Sequence, residues 1–336
     1  MIKKLGLDRF SALYLWAIFM IWFSITKHKT FISKPTLNLV LSQNVVVGVL
    51  ALAFLIPLST GTFDLSIGTM MTLALAIVSV FGKKHTMPMY WAVPIALAAC
   101  ALAGFISGFF VVKLRVNSFI ATLGMSQVLT AVCLKTSNST ISGVFSDTYT
   151  NVGSKLVWGQ PLIVFYLLIL AIIAWYILEH TPLGRYMFAT GGNPEAARLA
   201  GIRTDRYIWG SLVASAVLGG FAGIIFSWKV GNYTPDTGPA YLFPAVAAVF
   251  FGASQLKGRA NVWGAMIALY SLAWGIKGLQ LTFTNNTVWI EPLFQGVALL
   301  AAVALASYQG VIRVKKRKMN DGDSSTAPEP ALGATP

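Results

Sequence analysis

The chain has 336 residues, 56% of them hydrophobic and only 11% charged, with a formal net charge of +14. An ordinary soluble domain carries about 25% charged residues, and a mean hydropathy of +0.70 is too apolar for a single core in water. The apolar stretches are continuous, without the strict alternation of a lipid-facing strand. This excludes a closed barrel and leaves an all-α polytopic membrane protein.

Ten apolar spans are predicted, at 11–26, 44–60, 65–81, 91–112, 118–135, 162–179, 208–228, 241–254, 262–278 and 289–306. The first follows Lys3, Lys4 and Arg9 and lacks a small-x-small cleavage site. Its Trp16, Trp22 and Phe23 suit a retained anchor. Spans two and three are separated only by Ser59-Thr-Gly-Thr-Phe-Asp-Leu-Ser66. So short a link reads as a broken helix, with Gly61 relaxing the backbone and Asp64 or Ser66 capping the next segment. Non-helical backbone at membrane depth survives only inside protein or beside a wet cavity. Cys100 and Cys133 fall within spans and read as packing residues. The 136–161 stretch, rich in Ser, Thr, Asn and Gly, suggests a small outer cap. The 241–254 segment is short and follows Pro235, Gly238 and Pro239, so it is expected to be re-entrant or steep; interrupted segments of this kind mark transport sites. Residues 1–318 form one transmembrane unit, and Met319–Pro336 reads as a disordered tail.

Ten crossings put both termini on one side. That side holds 16 of the 25 basic residues, including every arginine, against 9 on the other. The positive-inside rule then assigns both termini and the 180–207 loop to the cytoplasm. The basicity is topological, with no nucleic-acid partner implied.

The chain has no H-E-x-x-H, no cysteine cluster, no G-x-S-x-G elbow and no Walker glycine loop. No catalytic residue, metal site or ATP site is expected. Asp64 is the telling intramembrane carboxylate, since a charge at a helix centre costs about 2.5–3.5 kcal/mol on insertion scales. It reads as an N-cap, or as part of a translocation path, and the two are compatible. Asn44, Ser66 and Thr122 are path candidates as well, with helix–helix hydrogen bonding as the plainer role. Glu179 and Glu291, at span ends, are read as solvated.

The 180–207 loop carries the strongest signal. Asn193 caps a short helix opened by Pro194, with Glu195 complementing its dipole. Gly191 and Gly192 allow a tight approach, and Gly201 ends the turn. The result is a short helix hung on two hinges, suited to docking a partner.

Three segments match the motifs of one known family. Gly61…Asp64-Leu65-Ser66…Gly68 is similar to its G-G-I-D-L-S-V-G. Phe119-Ile120…Thr122-Leu123-Gly124 is similar to its F-I-x-T-L-G. Gly184-Arg185…Ala189…Gly191-Gly192-Asn193…Ala196-Ala197-Arg198-Leu199…Gly201-Ile202 resembles its cytoplasmic loop almost in full. On these residues the chain resembles the permease subunits of bacterial ABC importers of the ribose type. Thr62, the run Phe251–Ala260 and Lys277 depart from the family pattern. The resemblance implies two permease copies, identical or different, two ABC ATPase subunits that hold the ATP and Mg, and a periplasmic sugar-binding protein. It places the chain in the bacterial inner membrane. It makes Gly184, Arg185, Gly191, Gly192, Asn193, Pro194, Glu195, Ala196, Ala197, Arg198 and Gly201 the ATPase-coupling loop. The alternative is a self-sufficient carrier or channel, coupled to ions or to nothing; a secondary carrier would need intramembrane ionisable pairs and no docking helix.

Overall fold

The computed structural model describes residues 7–84, 89–142, 145–253, 259–283 and 287–300. The tail at Met319–Pro336, the end of the last expected span and parts of the 251–260 run lie outside these residues. The described chain is overwhelmingly helical, as the apolar runs require. In order come α1 (Leu7–Thr26), α2 (His28–Phe31), α3 (Lys34–Gln43), α4 (Val45–Ser59), α5 (Ile67–Lys84), α6 (Met89–Val112) and α7 (Ser118–Thr136). There follow β1 (Ile141–Ser142), α8 (Asp147–Ser154), β2 (Leu156–Val157), β3 (Gln160–Pro161), α9 (Leu162–His180), α10 (Pro182–Gly192) and α11 (Pro194–Leu199). The last are α12 (Thr204–Val230), β4 (Asn232–Tyr233), α13 (Pro239–Ala253), α14 (Val262–Thr282) and α15 (Ile290–Leu300). Among the described residues six stretches are long and apolar enough to cross a membrane, and four shorter apolar helices fill the remaining expected positions.

The second span is longer than the 44–60 expected. It runs Lys34–Ser59, as α3 and α4 joined at Asn44. Ser33 starts it, accepting from Thr36 N at 3.3 Å, with Pro35 in the first turn. The Asn, Ser and Gln of α3 hide this half from a hydropathy reading.

The described loops gather at the two ends of the bundle. One end gathers the 59–65 link, the start of α7, the loop after α9 and Arg259. There Phe63 N donates to Ser118 Oγ at 3.1 Å, and Arg259 pairs with Glu179 at 2.7 Å while lying 4.1 Å over the Phe188 ring. The other end gathers the small cap: β1 pairs with β4, Asn38 Nδ2 donates to Gly159 O, and Tyr149 OH meets Ser227 Oγ at 2.8 Å. Glu179 is therefore paired, against its solvated reading.

α12 is the central post, packed against α4, α5 and α6. Its glycines allow this. A Cβ on Gly219 would lie 3.0 Å from Ile67 O, one on Gly223 2.2 Å from Met71 O, and one on Gly220 2.7 Å from Cys100 Sγ. Small residues that let backbones approach are the usual means of packing helices in lipid.

Candidate functional site: a broken core, a polar cavity and a docking loop

α12 also measures where the chain breaks. Thr60 Oγ1 meets Ser211 Oγ at 3.2 Å, whereas Ile67 lies against Gly219. At 1.5 Å per residue, these contacts are about 12 Å apart along α12, and α5 starts about 22 Å from its N-terminus. The 60–66 link thus climbs as irregular backbone to near mid-height. Its N–H groups are met from α7 and α4: Phe63 N by Ser118 Oγ, Leu65 N by Thr122 Oγ1 at 3.1 Å, and Thr62 N by Pro57 O at 3.1 Å. This is how non-helical backbone is tolerated at such depth. Asp64 is only 2% exposed, and its Oδ1 accepts from Ser66 N at 2.9 Å and Ser66 Oγ at 2.6 Å. Ser66 O in turn accepts from Met70 N at 2.8 Å and opens α5. Asp64, Ser66 and Thr122 therefore come together, and their visible work is to hold the break.

A second interrupted element meets the first. After β4 the chain dips inward, and Gly238 N donates to Thr72 Oγ1 at 3.0 Å. Gly238 and Gly68 touch backbone to backbone: a Cβ on Gly68 would lie 2.6 Å from Gly238 O, and one on Gly238 would lie 1.7 Å from Gly68 O. α13 thus begins at Pro239 beside the first turn of α5 and runs to the break, where Phe250 packs on Phe54 and Phe63. The steep segment expected at 241–254 is a half-length helix that starts inside the bundle. Two interrupted segments whose helix N-termini meet inside the bundle are a recurrent transporter device.

Asn44 lies apart from this group. It stands at the α3–α4 joint, donating through Nδ2 to Val40 O at 2.8 Å, on the wall of a cavity of about 350 Å³. The polar lining is Gln43, Asn44, Lys229, Tyr241, Lys277, Gln280, Glu291 and Gln295, set between Val47, Pro244, Leu269 and Leu272. Its volume falls within the range of small-molecule sites, and its lining is more polar than most of them. Sequence reasoning missed most of it, Glu291 included. The polar groups sit near the ends of five helices, where a lone side chain reads as solvated.

The loop at the opposite end is built as expected, with one difference. Thr181 caps α10, accepting from Gly184 N, and Gly184 lets the loop fold onto α9, since a Cβ there would lie 2.1 Å from Leu178 O. Arg185 is exposed on α10. Asn193 Oδ1 accepts from Glu195 N at 3.1 Å and Ala196 N at 3.0 Å, with Pro194 at the first position. Gly201, at φ +81°, closes α11: its N donates to Arg198 O, and Ile202 N donates to Ala197 O. Ala197 is buried, whereas Glu195, Ala196 and Arg198 face outward. Arg198 ties α11 to α12 through Thr204 Oγ1 at 2.8 Å and Asp205 Oδ1 at 2.9 Å.

The difference concerns Gly191 and Gly192. They are not a hinge but the last helical residues of α10, and the turn is made by the extended Asn193. Gly191 is small for another reason. It lies on the break itself, where a Cβ would be 2.5 Å from Ser59 O and 2.8 Å from Gly61 N. Gly61 has φ +78° and faces Gly191 Cα, while Gly192 has nothing within 4 Å. Leu199, part of the matched loop motif but absent from the expected coupling residues, is 91% exposed on α11.

A helical bundle with two helix N-termini meeting at depth, a polar cavity and a capped loop braced on the break is the build of a membrane transport protein. The chain matches, over residues 36–303, the family described as branched-chain amino acid transport system / permease component, and it belongs to that family. It is similar to the ribose import permease protein of Haemophilus influenzae, 30% identical over 83% of this chain and 87% of that protein. The ribose import permease protein of Escherichia coli is 32% identical over 79% of this chain and 83% of its own length. The fructose import permease protein of Rhizobium meliloti is 29% identical over 85% and 81%. No solved structure matches the chain.

Proposed function

We propose that this chain is the membrane-spanning permease subunit of an ATP-driven importer for a monosaccharide or a similar polyhydroxylated solute. The observation that carries the reading is the loop of α10 and α11. It is capped at both ends, presents Glu195, Ala196 and Leu199 outward, and rests through Gly191 on the break between α4 and α5. A surface of this kind suits an ATPase subunit that holds the ATP and Mg, and this chain itself supplies no cofactor. Movement of the loop would reach the break through contacts between backbone atoms, which cannot yield by side-chain rotation. The similar ribose and fructose permeases support the solute class. The arginine bias supports cytoplasmic termini and a cytoplasmic loop, with the cap and its cavity facing a periplasmic binding protein. A second copy of the chain, or a related one, would complete the passage.

The test is uptake of labelled monosaccharides by cells expressing the chain with its ATPase and binding protein. Asn193→Ala and Leu199→Asp should abolish uptake while the chain still reaches the membrane. Full uptake by both variants would remove the docking role.

A further inference from the structure

We infer that the polar cavity is an anion-accepting subsite, and that the solute is an acidic sugar: a polyhydroxylated frame carrying a carboxylate. The inference rests on the permease reading above and narrows its solute class. Lys229 closes α12, and Lys277 lies in the last turns of α14; both are half-buried and line the cavity. Among the described residues neither forms an ion pair. Among the described residues the only carboxylate on the lining is that of Glu291, which is exposed and accepts from Gln295 Nε2 at 3.0 Å. The lining thus carries two ammonium groups against one carboxylate, beside Leu269, Leu272 and Pro244. A cation beside apolar side chains at the edge of a membrane is costly unless an anion or water meets it. Tyr241 and Gln280 stand in the same cavity and can hydrogen-bond to hydroxyls. The combination fits a sugar acid better than a neutral sugar.

The test uses the purified full chain in lipid nanodiscs, with glucuronate and glucose as probes and saturation-transfer NMR as readout. At low salt, glucuronate should bind at least about fivefold more tightly than glucose, the order expected of partly screened charge pairing. The preference should vanish in Lys229→Gln/Lys277→Gln and persist in Lys229→Arg/Lys277→Arg, which also shows that the cavity still folds. Equal binding of the two probes, or a preference that survives the glutamine changes, overturns the proposal, as does absence of glucuronate binding. If both probes bind equally and both are lost in Tyr241→Ala, the cavity accepts neutral sugars. The permease reading then stands while the charge preference falls.

Discussion

Replacing Gly191 by alanine, with Gly192→Ala as its control, separates a lever from a tether. Both glycines are helical residues, but at the very end of α10, so each alanine should gain less than the ~0.8–1 kcal/mol of helix propensity available in a helix interior. At Gly192 nothing stands in the way, and the variant should be at least as stable as the parent. At Gly191 the new methyl would sit 2.5 Å from Ser59 O and 2.8 Å from Gly61 N, both backbone atoms. Overpacking of this kind costs about 1–3 kcal/mol, so the propensity gain is cancelled or exceeded. The two alanine variants should therefore differ by about 1–3 kcal/mol. More important, α10 must lift off the break to make room. Thermal unfolding of the full chain in nanodiscs reads the first effect, and solute uptake by the assembled transporter reads the second. Gly191→Ala should unfold at lower temperature than Gly192→Ala and lose most uptake, while Gly192→Ala keeps it. Equal melting and equal uptake in the two variants would refute the idea that the loop bears on the break.

Gly68→Ala places a methyl 2.6 Å from Gly238 O. It should impair uptake more than Gly210→Ala in α12, which meets nothing within 4 Å, and uptake at equal membrane abundance checks this. Thr122→Val removes the oxygen that accepts from Leu65 N. An unsatisfied buried donor costs about 1–3 kcal/mol, which a lowered melting temperature would show and an unchanged one would deny. Gly201→Ala forces a side chain to φ +81°, at a cost of about 1 kcal/mol to the end of α11; faster proteolysis at the loop is the expected sign. Glu195→Lys should uncouple ATP hydrolysis from uptake without unfolding the chain, because Glu195 is exposed in the first turn of α11. It is a cleaner probe than any change at Arg198, whose exposed bridge to Asp205 is worth under about 1 kcal/mol but also orients α11.

Local signals were legible in the chain. Asn193, Pro194 and Gly201 cap α11 as their chemistry dictates, and Gly61 and Asp64 announced the break. Pro235, Gly238 and Pro239 announced the half-helix that follows. What escaped depends on neighbours distant in sequence. Gly191 looked like a hinge because its reason for being small, Ser59 O, belongs to another helix. Lys229, Lys277 and Glu291 each read as a charge at a span end, and only the fold brings α12, α14 and α15 around one cavity. Asn44 was legible as a polar residue near a span but not as a joint, because α3 is too polar to be recognised as the first half of a crossing. Ser118 gave no signal at all, since a serine that satisfies the N–H of Phe63 looks in the sequence like any helix-start residue.

Proteoliposomes loaded with ATP and holding the chain with a partner ATPase and binding protein decide whether the loop of α10 and α11 receives work from an ATPase subunit. Labelled solute should accumulate against its gradient only when both ATP and the ATPase are present, and should cease to do so with Leu199→Asp. Accumulation by the chain alone, driven by an ion gradient and indifferent to Leu199, would refute the proposed docking role.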